Sequence, residues 1–566
     1  MRTSLLSYIA GLRDKLMARE YRALFIGVIL FFLLLYVPVI TSAGLIYDDW
    51  SVAGLGRACP GIDDSYRCFW GNYVDRPLAP LYYGILSNIF HGWSPGYFIF
   101  VSLCWLAGVL IVMRVLYRRF GMRFALPFAL VALMPSIATT VIFSPGMQGV
   151  GAFTFMLWAL SFRGFDAYAR IQKKRALIGG YACILAIMML YESSIPLFGL
   201  SVIWPFIVMK RPRKLARNFW VEYAKHFVLP FLAILVVLAM YQKFFVFGQA
   251  GSVSKVRILK DPHAFDFLLR VITNDLYIFI IGVPNMAARG LVRLLRNNGW
   301  RTLLNYLAVL STGYWLVKKY ASEQIGDRRL PTWRMLFAAA VVIMAGLAGM
   351  HFIAVSPPTI VGYLNRALVG GAILVALTFA FLLQRYGKNR TTAYVLSLFF
   401  MGYTASFIVQ RNNYIAANRE RHRIEQRVAA KLAGTKQDSM FVLAEVPTYL
   451  PTNFNNETIF SDEVLDWGNF LHVRAKNWTT GGISLSTERL RRGELKANPK
   501  GLMVMGSLVE MARLWHYDLE TNKLVKIEDQ QELERVLKNI RLNPKAYPLP
   551  ADAQLRESIR SWLASY

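Results

Sequence analysis

The sequence predicts a polytopic α-helical membrane protein of about eleven transmembrane helices, followed by a small soluble α/β or α+β domain. Of its 566 residues, 55% are hydrophobic, and uncharged apolar runs of about twenty residues recur through the first 410. An α-helix rises about 1.5 Å per residue, so such a run crosses the roughly 30 Å hydrocarbon core. Beyond about Val409 the apolar runs shorten and charge becomes nearly balanced, as in a water-soluble domain.

The first apolar run, Ala23 to Ile46, contains no charged residue and follows a basic segment, 1–22, that we expect to be cytoplasmic and amphipathic. It is not a cleavable signal peptide, because the basic stretch is too long and no small-residue cleavage site follows. Two segments between 263 and 318 are ambiguous as transmembrane helices, and we expect one of them to cross the membrane. The other apolar runs lie at about 96–117, 124–143, 147–162, 176–191, 195–209, 227–247, 333–355, 366–386 and 391–410.

The net charge of +30 comes mainly from clusters of basic residues between the apolar runs, such as "MRVLYRRFGMR" and "MKRPRKLAR". This is the positive-inside pattern of cytoplasmic loops. This pattern explains the positive charge by the position of the loops at the lipid bilayer, which is the expected partner. No nucleic-acid partner is predicted. The same rule places the amino terminus inside, and it places the loop 47–95 and the domain 411–566 outside, with the membrane body over 23–410.

The first outer loop is unexpectedly acidic for so basic a protein. Asp48 and Asp49 directly follow the first span, where mutual repulsion and lost hydration should raise the pKa of at least one carboxyl. Such a carboxylate can accept a proton from a hydroxyl, although charge in a loop leaving a membrane is also ordinary. Trp50 beside the pair is either an interfacial anchor or a platform for a sugar ring.

Two cysteines lie nine positions apart in this loop, Cys59 and Cys68. An oxidising periplasm would join them, with a stabilisation of about 2–3 kcal/mol for so short a loop. We therefore expect a disulfide rather than a metal site, because two isolated cysteines lack further ligands.

An opening span that ends in "YDDW", a tryptophan-containing outer loop and the stretch "DRPLAPLYYG" resemble the GT-C superfamily of membrane glycosyltransferases. Within it, the sequence is most similar to the bacterial serotype-converting glucosyltransferases that modify O-antigen. The resemblance covers about residues 20–410, and the domain 411–566 has no part in it.

This resemblance implies an inverting transfer of a single sugar from a polyprenyl-phosphate donor to a hydroxyl of an envelope glycan or a protein. It implies a multi-pass protein of the bacterial inner membrane with an extracytoplasmic reaction. The base would be Asp48 or Asp49, and we favour Asp49, although spacing does not separate the two.

Three further groups are candidates for the site. Arg76 and Arg366 could each hold the donor phosphate bidentately, or be arginines that snorkel to ordinary headgroups. Glu192, in "LYESSIP", lies between two apolar runs, where an acid is costly unless it is solvated or paired. It could orient the acceptor, with Tyr191 contacting the sugar, or be a simple turn residue.

We find no Walker loop, no dinucleotide fingerprint and no zinc-type spacing in the sequence, so no cofactor is expected and a divalent metal is not indicated. Two alternative functions stay open. An O-antigen ligase or polymerase would concentrate Arg and His in a late outer loop. A transporter or flippase of lipid-linked glycans would show duplicated halves and mid-span charges, and only Arg270 and Asp275 suggest it.

The charge pattern predicts opposite sides of the membrane for residues 388 and 415. A periplasm-active reporter fused after residue 415 should give signal, whereas the same reporter fused after Lys388 should be silent. Signal at 415 from a reporter that works only in the cytoplasm would contradict the assigned orientation.

Overall fold

The computed structural model is predominantly helical, with a small β domain near the carboxyl end. It describes residues 19–42, 44–45, 49, 52–54, 59–70, 73–208, 217–241, 244, 263–297, 299–320, 331–354, 368–433, 440–444, 449–451, 456–458, 481–484, 495–504, 507–518 and 521–542. The predicted amphipathic segment 1–22 lies almost wholly outside these residues.

The helices follow the apolar runs of the sequence. In chain order they are α1 Arg19–Ser42, α2 Ile62–Trp70, α3 Ala79–Phe90, α4 Ser94–Phe120, α5 Met122–Ala132, α6 Thr140–Phe143, α7 Val150–Ile171, α8 Lys174–Leu190, α9 Phe198–Val208, α10 Arg217–Tyr223, α11 Leu229–Tyr241, α12 Ala264–Tyr277, α13 Val283–Asn297, α14 Trp300–Tyr320, α15 Trp333–Ala354, α16 Val369–Tyr386, α17 Arg390–Ala433 and α18 Gln530–Leu542. A 3₁₀ segment, Glu192–Leu197, precedes α9, and π-helical segments at Ala224–Val228 and Ile278–Gly282 join α10 to α11 and α12 to α13.

This is a multi-pass membrane protein. Seven of the described helical stretches are long and apolar enough to cross a bilayer: Leu24–Ser42, Ser94–Phe120, Trp220–Val237, Ala264–Arg296, Trp333–Phe352, Val369–Tyr386 and Arg390–Leu432. The sequence led us to expect about eleven. Of the four remaining expected spans, 124–143 and 195–209 correspond to the shorter apolar helices α5 and Ser193–Phe206, and 147–162 and 176–191 correspond to α7 and α8. Of the two ambiguous segments, Ala264–Arg296 meets the criteria for a span.

The chain divides into two compact units. The first unit comprises Met1–Pro38, Val101–Thr139 and Gly151–Val409, and the second comprises Val39–Phe100, Thr140–Val150 and Gln410–Tyr566. The first outer loop therefore belongs to the same unit as the carboxyl-terminal region.

In the first unit, the predicted run 124–143 is interrupted after Ala132, where Pro135 removes a backbone donor from the helix. Carbonyl groups freed by the interruption are satisfied by buried side chains. The indole of Trp105 donates to the carbonyl of Ala132 at 2.9 Å, and the Tyr36 hydroxyl donates to that of Leu133 at 2.8 Å. Non-helical backbone at membrane depth requires such internal partners.

Two glycines bring α13 and α17 into backbone contact, also within the first unit. A Cβ on Gly290 would lie 2.6 Å from the nitrogen of Ser406, and one on Gly402 would lie 2.5 Å from the carbonyl oxygen of Ala287. Each glycine thus faces the other helix at a distance that no side chain tolerates, as at close-packed helix crossings in membranes.

The first unit also contains an apolar cavity of about 50 Å³. Its lining includes Leu116, Phe162, Trp204, Met335 and Phe381, which come from five different helices. The described residues that line it are apolar, so this is a hydrophobic cavity.

In the second unit, the carboxyl-terminal region forms a small domain of strands and a helix, as the sequence predicts. Its strands are β1 Phe441–Ala444, β2 Tyr449–Pro451, β3 Asn456–Thr458, β4 Gly481–Ser484, β5 Leu495–Asn498, β6 Gly501–Val504, β7 Ser507–Glu510, β8 Leu514–Asp518 and β9 Lys523–Lys526. The main sheet has the order β4-β1-β8-β9, with β1 parallel to both β4 and β8, and β9 antiparallel to β8. Helix α18 contributes Leu533, Val536 and Leu537 to a core shared with Leu443 and Leu514.

The glycine contact between α13 and α17 predicts a sharp difference between two alanine substitutions. Gly402→Ala should lower the free energy of unfolding by about 1–3 kcal/mol, because backbone atoms must move apart. Gly349→Ala in α15 is the matched control, since no described atom lies within 4 Å of its Cβ position. Thermal unfolding in detergent measures both, and equal midpoints would contradict the close approach.

Candidate active site

Among the acidic residues of the segment 47–95 that the structure describes, Asp49 is the buried one. Its side chain is 0% exposed. Its Oδ1 accepts hydrogen bonds from the hydroxyl of Ser144 and from the backbone N–H of Met147, both at 2.8 Å. A carboxylate oxygen can accept both hydrogen bonds, and the ionised form is the one that can take up a proton.

The donors come from a turn that interrupts an apolar region. Pro145 and Gly146 follow α6 and prevent the helix from continuing, so the backbone of 144–149 turns around the carboxylate. A Cβ on Gly146 would lie 3.0 Å from the Cα, Cβ and Oδ1 of Asp49. Glycine therefore lets this turn approach Asp49 closely enough for the Met147 amide to reach it.

Two tyrosines hold the same turn from the other side. The Tyr83 hydroxyl donates to the Met147 carbonyl at 3.2 Å, and the Tyr73 hydroxyl lies 3.2 Å from the Met147 sulfur. Their rings also pack together, with centroids 5.3 Å apart. Met147 is thus held at its amide, its carbonyl and its side chain.

The remainder of the acidic loop forms a pinned helical hairpin. Cys59 and Cys68 are joined by a disulfide around the start of α2. Asn88 on α3 donates to Ser65 at 2.8 Å and to the carbonyl of Gly84 at 2.8 Å, and it accepts from the amide of Gly61 at 2.9 Å. These bonds fasten α2 to α3.

Asp63 lies on the solvent side of this hairpin. Its carboxylate pairs with Arg67 at 2.9 Å, and both side chains are 75% exposed. An exposed i,i+4 pair contributes little to stability. Asp64 beside it in α2 is exposed as well, so both acids face solvent.

A buried polar face on the last long helix belongs to the same unit. Six polar residues at helical spacing along α17 are each at most 4% exposed: Gln410, Arg411, Tyr414, Asn418, Arg421 and Glu425. Residues three, four and seven positions apart share one face of a helix. A face this polar is rarely buried without partners or a function.

Tyr414 ties this face to the segment that leads to the acidic pair. Its hydroxyl donates to the carbonyl of Gly44 at 3.1 Å. Its ring stacks on Phe143 with centroids 5.0 Å apart, and Phe143 directly precedes Ser144, the donor to Asp49. The polar face of α17, the exit of the first span and the 144–147 turn are therefore packed against one another.

The arginines of the second unit differ in their described surroundings. Arg421 bonds Glu425 at 2.8 Å as a buried pair within α17. Arg76 lies 3.7 Å from Asp75, with both side chains about one quarter exposed. The Arg411 Nε and Nη2 donate to the neutral side-chain oxygen of Asn412 at 3.2 and 3.1 Å. Both guanidinium groups belong to this unit, Arg76 beside an acid and Arg411 beside a neutral amide.

Several predicted site residues lie outside the described residues. These are Asp48, Trp50 and Arg366. Asp49, Arg76, Cys59 and Cys68 are described and belong to the second unit.

The remaining predicted residues, Tyr191 and Glu192, belong to the first unit. Tyr191 is half-buried in extended backbone, and Glu192 begins the 3₁₀ segment. Next to them is a buried hydroxyl cluster, in which the Thr154 Oγ1 lies 3.3 Å from Ser193 Oγ and 3.1 Å from Ser194 Oγ. Among the described residues, no group of three His, Cys, Asp or Glu could hold a metal ion.

Sequence reasoning missed Ser144, Tyr414, Asn418 and Arg411. A signal for the last three existed, because 411, 414 and 418 follow helical spacing directly after an apolar run. No comparable signal pointed to Ser144, since its role depends on a contact across 95 positions of the chain.

No family model matches this chain, and no curated protein matches it. Among solved structures, the chain matches the crystal structure of ArnT from Cupriavidus metallidurans bound to undecaprenyl phosphate, with 15% identity and a TM-score of 0.36. The match covers 82% of this chain and 86% of that chain. The apo structure of the same protein matches with 15% identity and a TM-score of 0.35, over 84% and 89% of the two chains. At so low a TM-score, neither match assigns a role to any residue of this chain.

The geometry around Asp49 predicts that two substitutions differ in stability. Asp49→Ala should lower the free energy of unfolding by roughly 1–3 kcal/mol for each orphaned donor, Ser144 and the Met147 amide. Asp49→Asn keeps an acceptor oxygen of the same shape and should cost less. Thermal unfolding of the purified protein measures the difference.

Asp63→Ala is the control, because it removes an exposed carboxylate and should change stability by no more than about 0.5 kcal/mol. Equal stability of Asp49→Ala and wild type would contradict the two hydrogen bonds.

Proposed function

We propose that this protein is a membrane glycosyltransferase of GT-C type, which transfers a single sugar from a polyprenyl-phosphate donor to a hydroxyl of an envelope glycan or a protein. The observation that carries the proposal is the buried carboxylate of Asp49, held by two donors at the end of the first span of a multi-pass membrane protein. A donor carried by the membrane needs no nucleotide site, which fits a sequence without nucleotide motifs.

In the proposed reaction, a carboxylate of the Asp48–Asp49 pair accepts the proton of the acceptor hydroxyl. The acceptor oxygen then forms a bond to the anomeric carbon. The bond from that carbon to the phosphate oxygen breaks, and its electron pair remains on the polyprenyl phosphate. Attack from the face opposite the leaving group gives inversion.

The hydrogen bonds of Asp49 give it a structural role beside the proposed catalytic one. The Oδ1 of Asp49 accepts from Ser144 and from Met147, so part of this carboxylate serves to hold the turn. In the proposed reaction, Asp49 is either the base itself or the residue that positions Asp48. Both residues therefore remain candidates for the base, and their asparagine variants are to be tested in parallel.

The departing phosphate requires positive charge near the reacting centre. Within the second unit, Arg76 and Arg411 can supply it, and a guanidinium matches two phosphate oxygens at once. Arg366 is the further candidate from the sequence. Glu192 and Tyr191 keep their proposed roles in orienting the acceptor and contacting the sugar.

We place the protein in the bacterial inner membrane with its amino terminus in the cytoplasm and the domain 411–566 in the periplasm. This orientation rests on the distribution of basic residues between the apolar runs. The disulfide between Cys59 and Cys68 supports it, because disulfides persist in an oxidising compartment.

One observation favours a second candidate function, a transporter or flippase of lipid-linked glycans. Asp275 on α12 and His351 on α15 are 0% and 1% exposed, and the His351 Nδ1 lies 3.1 Å from Asp275 Oδ1. A buried acid–imidazole pair within candidate spans is typical of proton-coupled transport. If this function holds, Asp275→Asn should abolish flipping of a labelled lipid-linked glycan in proteoliposomes. If it does not hold, sugar transfer by the Asp275→Asn variant should still be measurable.

The primary test incubates purified protein with a panel of undecaprenyl-phosphate sugars and measures hydrolysis or transfer. Loss of the base costs about 10²–10⁴-fold in rate, so Asp48→Asn or Asp49→Asn should abolish transfer. Asp63→Asn and Asp64→Asn are matched controls in the same loop and should retain the wild-type rate. Full activity in both Asp48→Asn and Asp49→Asn would remove the catalytic role of the pair.

Arg411→Ala should weaken donor binding, because a phosphate loses a charged partner. The expected result is a raised donor KM. Arg419→Ala changes an exposed arginine on the same helix and should leave the KM unchanged. An unchanged donor KM in Arg411→Ala would mean that other cationic side chains bind the phosphate.

A further inference from the structure

Helix α13 of the first unit carries three arginines on one side. Arg289, Arg293 and Arg296 follow one another at spacings of four and three positions, so they share one face of the helix. Arg289 and Arg296 are exposed, and Arg293 is half-buried. We call these three residues the arginine face. The buried side of α13 is formed by apolar residues instead: Val283, Met286, Ala287 and Leu294.

No acidic residue lies near the arginine face in the sequence, which contains no Asp or Glu between Asp275 and Glu323. The ion pairs among the described residues do not include Arg289 or Arg296. Arg289 and Arg293 are one helical turn apart, and like charges at this spacing destabilise a helix. An anion bound to the arginine face would offset this repulsion.

The contacts of α14 show toward which end of the first span the arginine face lies. A Cβ on Gly27 would lie 2.5 Å from the Cδ2 of Leu316, near the end of α14. Near the start of α14, the Nδ2 of Asn305 donates to the carbonyl of Leu34 at 3.1 Å. Helix α14 therefore runs antiparallel to α1. Its start, which directly follows α13, lies toward the end of α1 from which the chain enters the first outer loop.

In the orientation proposed above, this is the periplasmic side of the membrane. Positive residues are enriched in cytoplasmic loops, so the topology does not account for arginines here. The helical stretch Ala264–Arg296 has 33 residues, or about 50 Å at 1.5 Å per residue, whereas the hydrocarbon core measures roughly 30 Å. The arginines occupy the carboxyl-terminal end of this stretch. They can therefore reach the level of the lipid headgroups.

Exposed apolar and aromatic side chains accompany the arginine face. Val292 and Leu295 lie between and beside its arginines in the sequence, and both are exposed. Trp300, at the start of α14, is also exposed, and the guanidinium carbon of Arg301 lies 5.5 Å from the centre of its ring. Tryptophan is typical of the membrane interface. Guanidinium groups next to exposed apolar side chains match a phospholipid, which carries acyl chains beside a phosphate.

We propose that the arginine face of α13 is a docking site for an anionic phospholipid of the periplasmic leaflet. Its guanidinium groups bind the phosphate diester, and the acyl chains lie along Val292 and Leu295. A guanidinium group can contact two phosphate oxygens at once. The arginine face extends over seven positions, about 10 Å along the helix axis. This length favours a bulk phospholipid, of which several headgroups can lie along the helix, over a single donor phosphate.

The test titrates the purified full-length protein in detergent with phosphatidylglycerol and measures the bound lipid by native mass spectrometry. Wild type should bind phosphatidylglycerol in preference to phosphatidylcholine. Arg289→Gln combined with Arg296→Gln should weaken this binding roughly 10- to 30-fold, because two positive charges near the phosphate are lost. Arg289→Lys combined with Arg296→Lys should restore most of the affinity, because both charges are kept.

Lys174→Gln combined with Arg175→Gln is the charge-matched control. These residues are exposed at the start of α8, outside the arginine face, and their substitution should leave the affinity at the wild-type value. Equal loss of affinity in both glutamine double variants would overturn the proposal, as would a wild type without preference for phosphatidylglycerol.

Two further measurements separate lipid docking from other roles of the arginine face. In phosphatidylcholine alone, the thermal midpoint of the Arg289→Gln and Arg296→Gln double variant should equal or exceed that of wild type, because repulsion between like charges is relieved. A lower midpoint would indicate a structural role and overturn the proposal. Undecaprenyl phosphate at equal concentration should not displace the bound phosphatidylglycerol, and displacement would assign the arginine face to the donor lipid instead.

Discussion

The hydrogen bonds that Asp49 accepts from Ser144 and from the Met147 amide organise the second unit. They join the exit of the first span to a turn almost one hundred positions later in the chain. Within this turn, Met147 contacts the hydroxyl groups of Tyr83 and Tyr73. Phe143, next to the turn, stacks on the ring of Tyr414 in α17. A single buried carboxylate thereby connects three parts of the sequence.

The parts of the fold that depend on local sequence were predictable. Apolar runs gave the positions of the long helices, and the segments "SMFVLAEVP" and "GLMVMG" contain the strands β1 and β6. The limits of prediction appear at Pro135 and Pro145. There the expected span at 124–143 gives way to α5, α6 and turns, because proline cannot continue the hydrogen-bond ladder, and α7 begins only at Val150. Hydropathy averaged over a window does not register such interruptions.

In the candidate site, too, some residues could be predicted from the sequence and others could not. Asp49 could be selected because an acid beside an apolar run is conspicuous in the sequence. Its donors could not, since the Ser144 hydroxyl and the Met147 amide look ordinary until folding brings them to the carboxylate. Asn418 and Tyr414 were also overlooked, because polar residues after the end of a span are expected to be solvated, whereas here α17 continues to Ala433 and buries them.

The apolar cavity of the first unit has a consequence for how that unit responds to compression. A void of about 50 Å³ costs roughly 1 kcal/mol at about 24 cal/mol per Å³. Hydrostatic pressure favours states of smaller volume, so it acts first on empty space of this kind. The helices that line the cavity are therefore a compressible part of the unit, whereas α13 and α17 already touch through their backbones at the glycine contact.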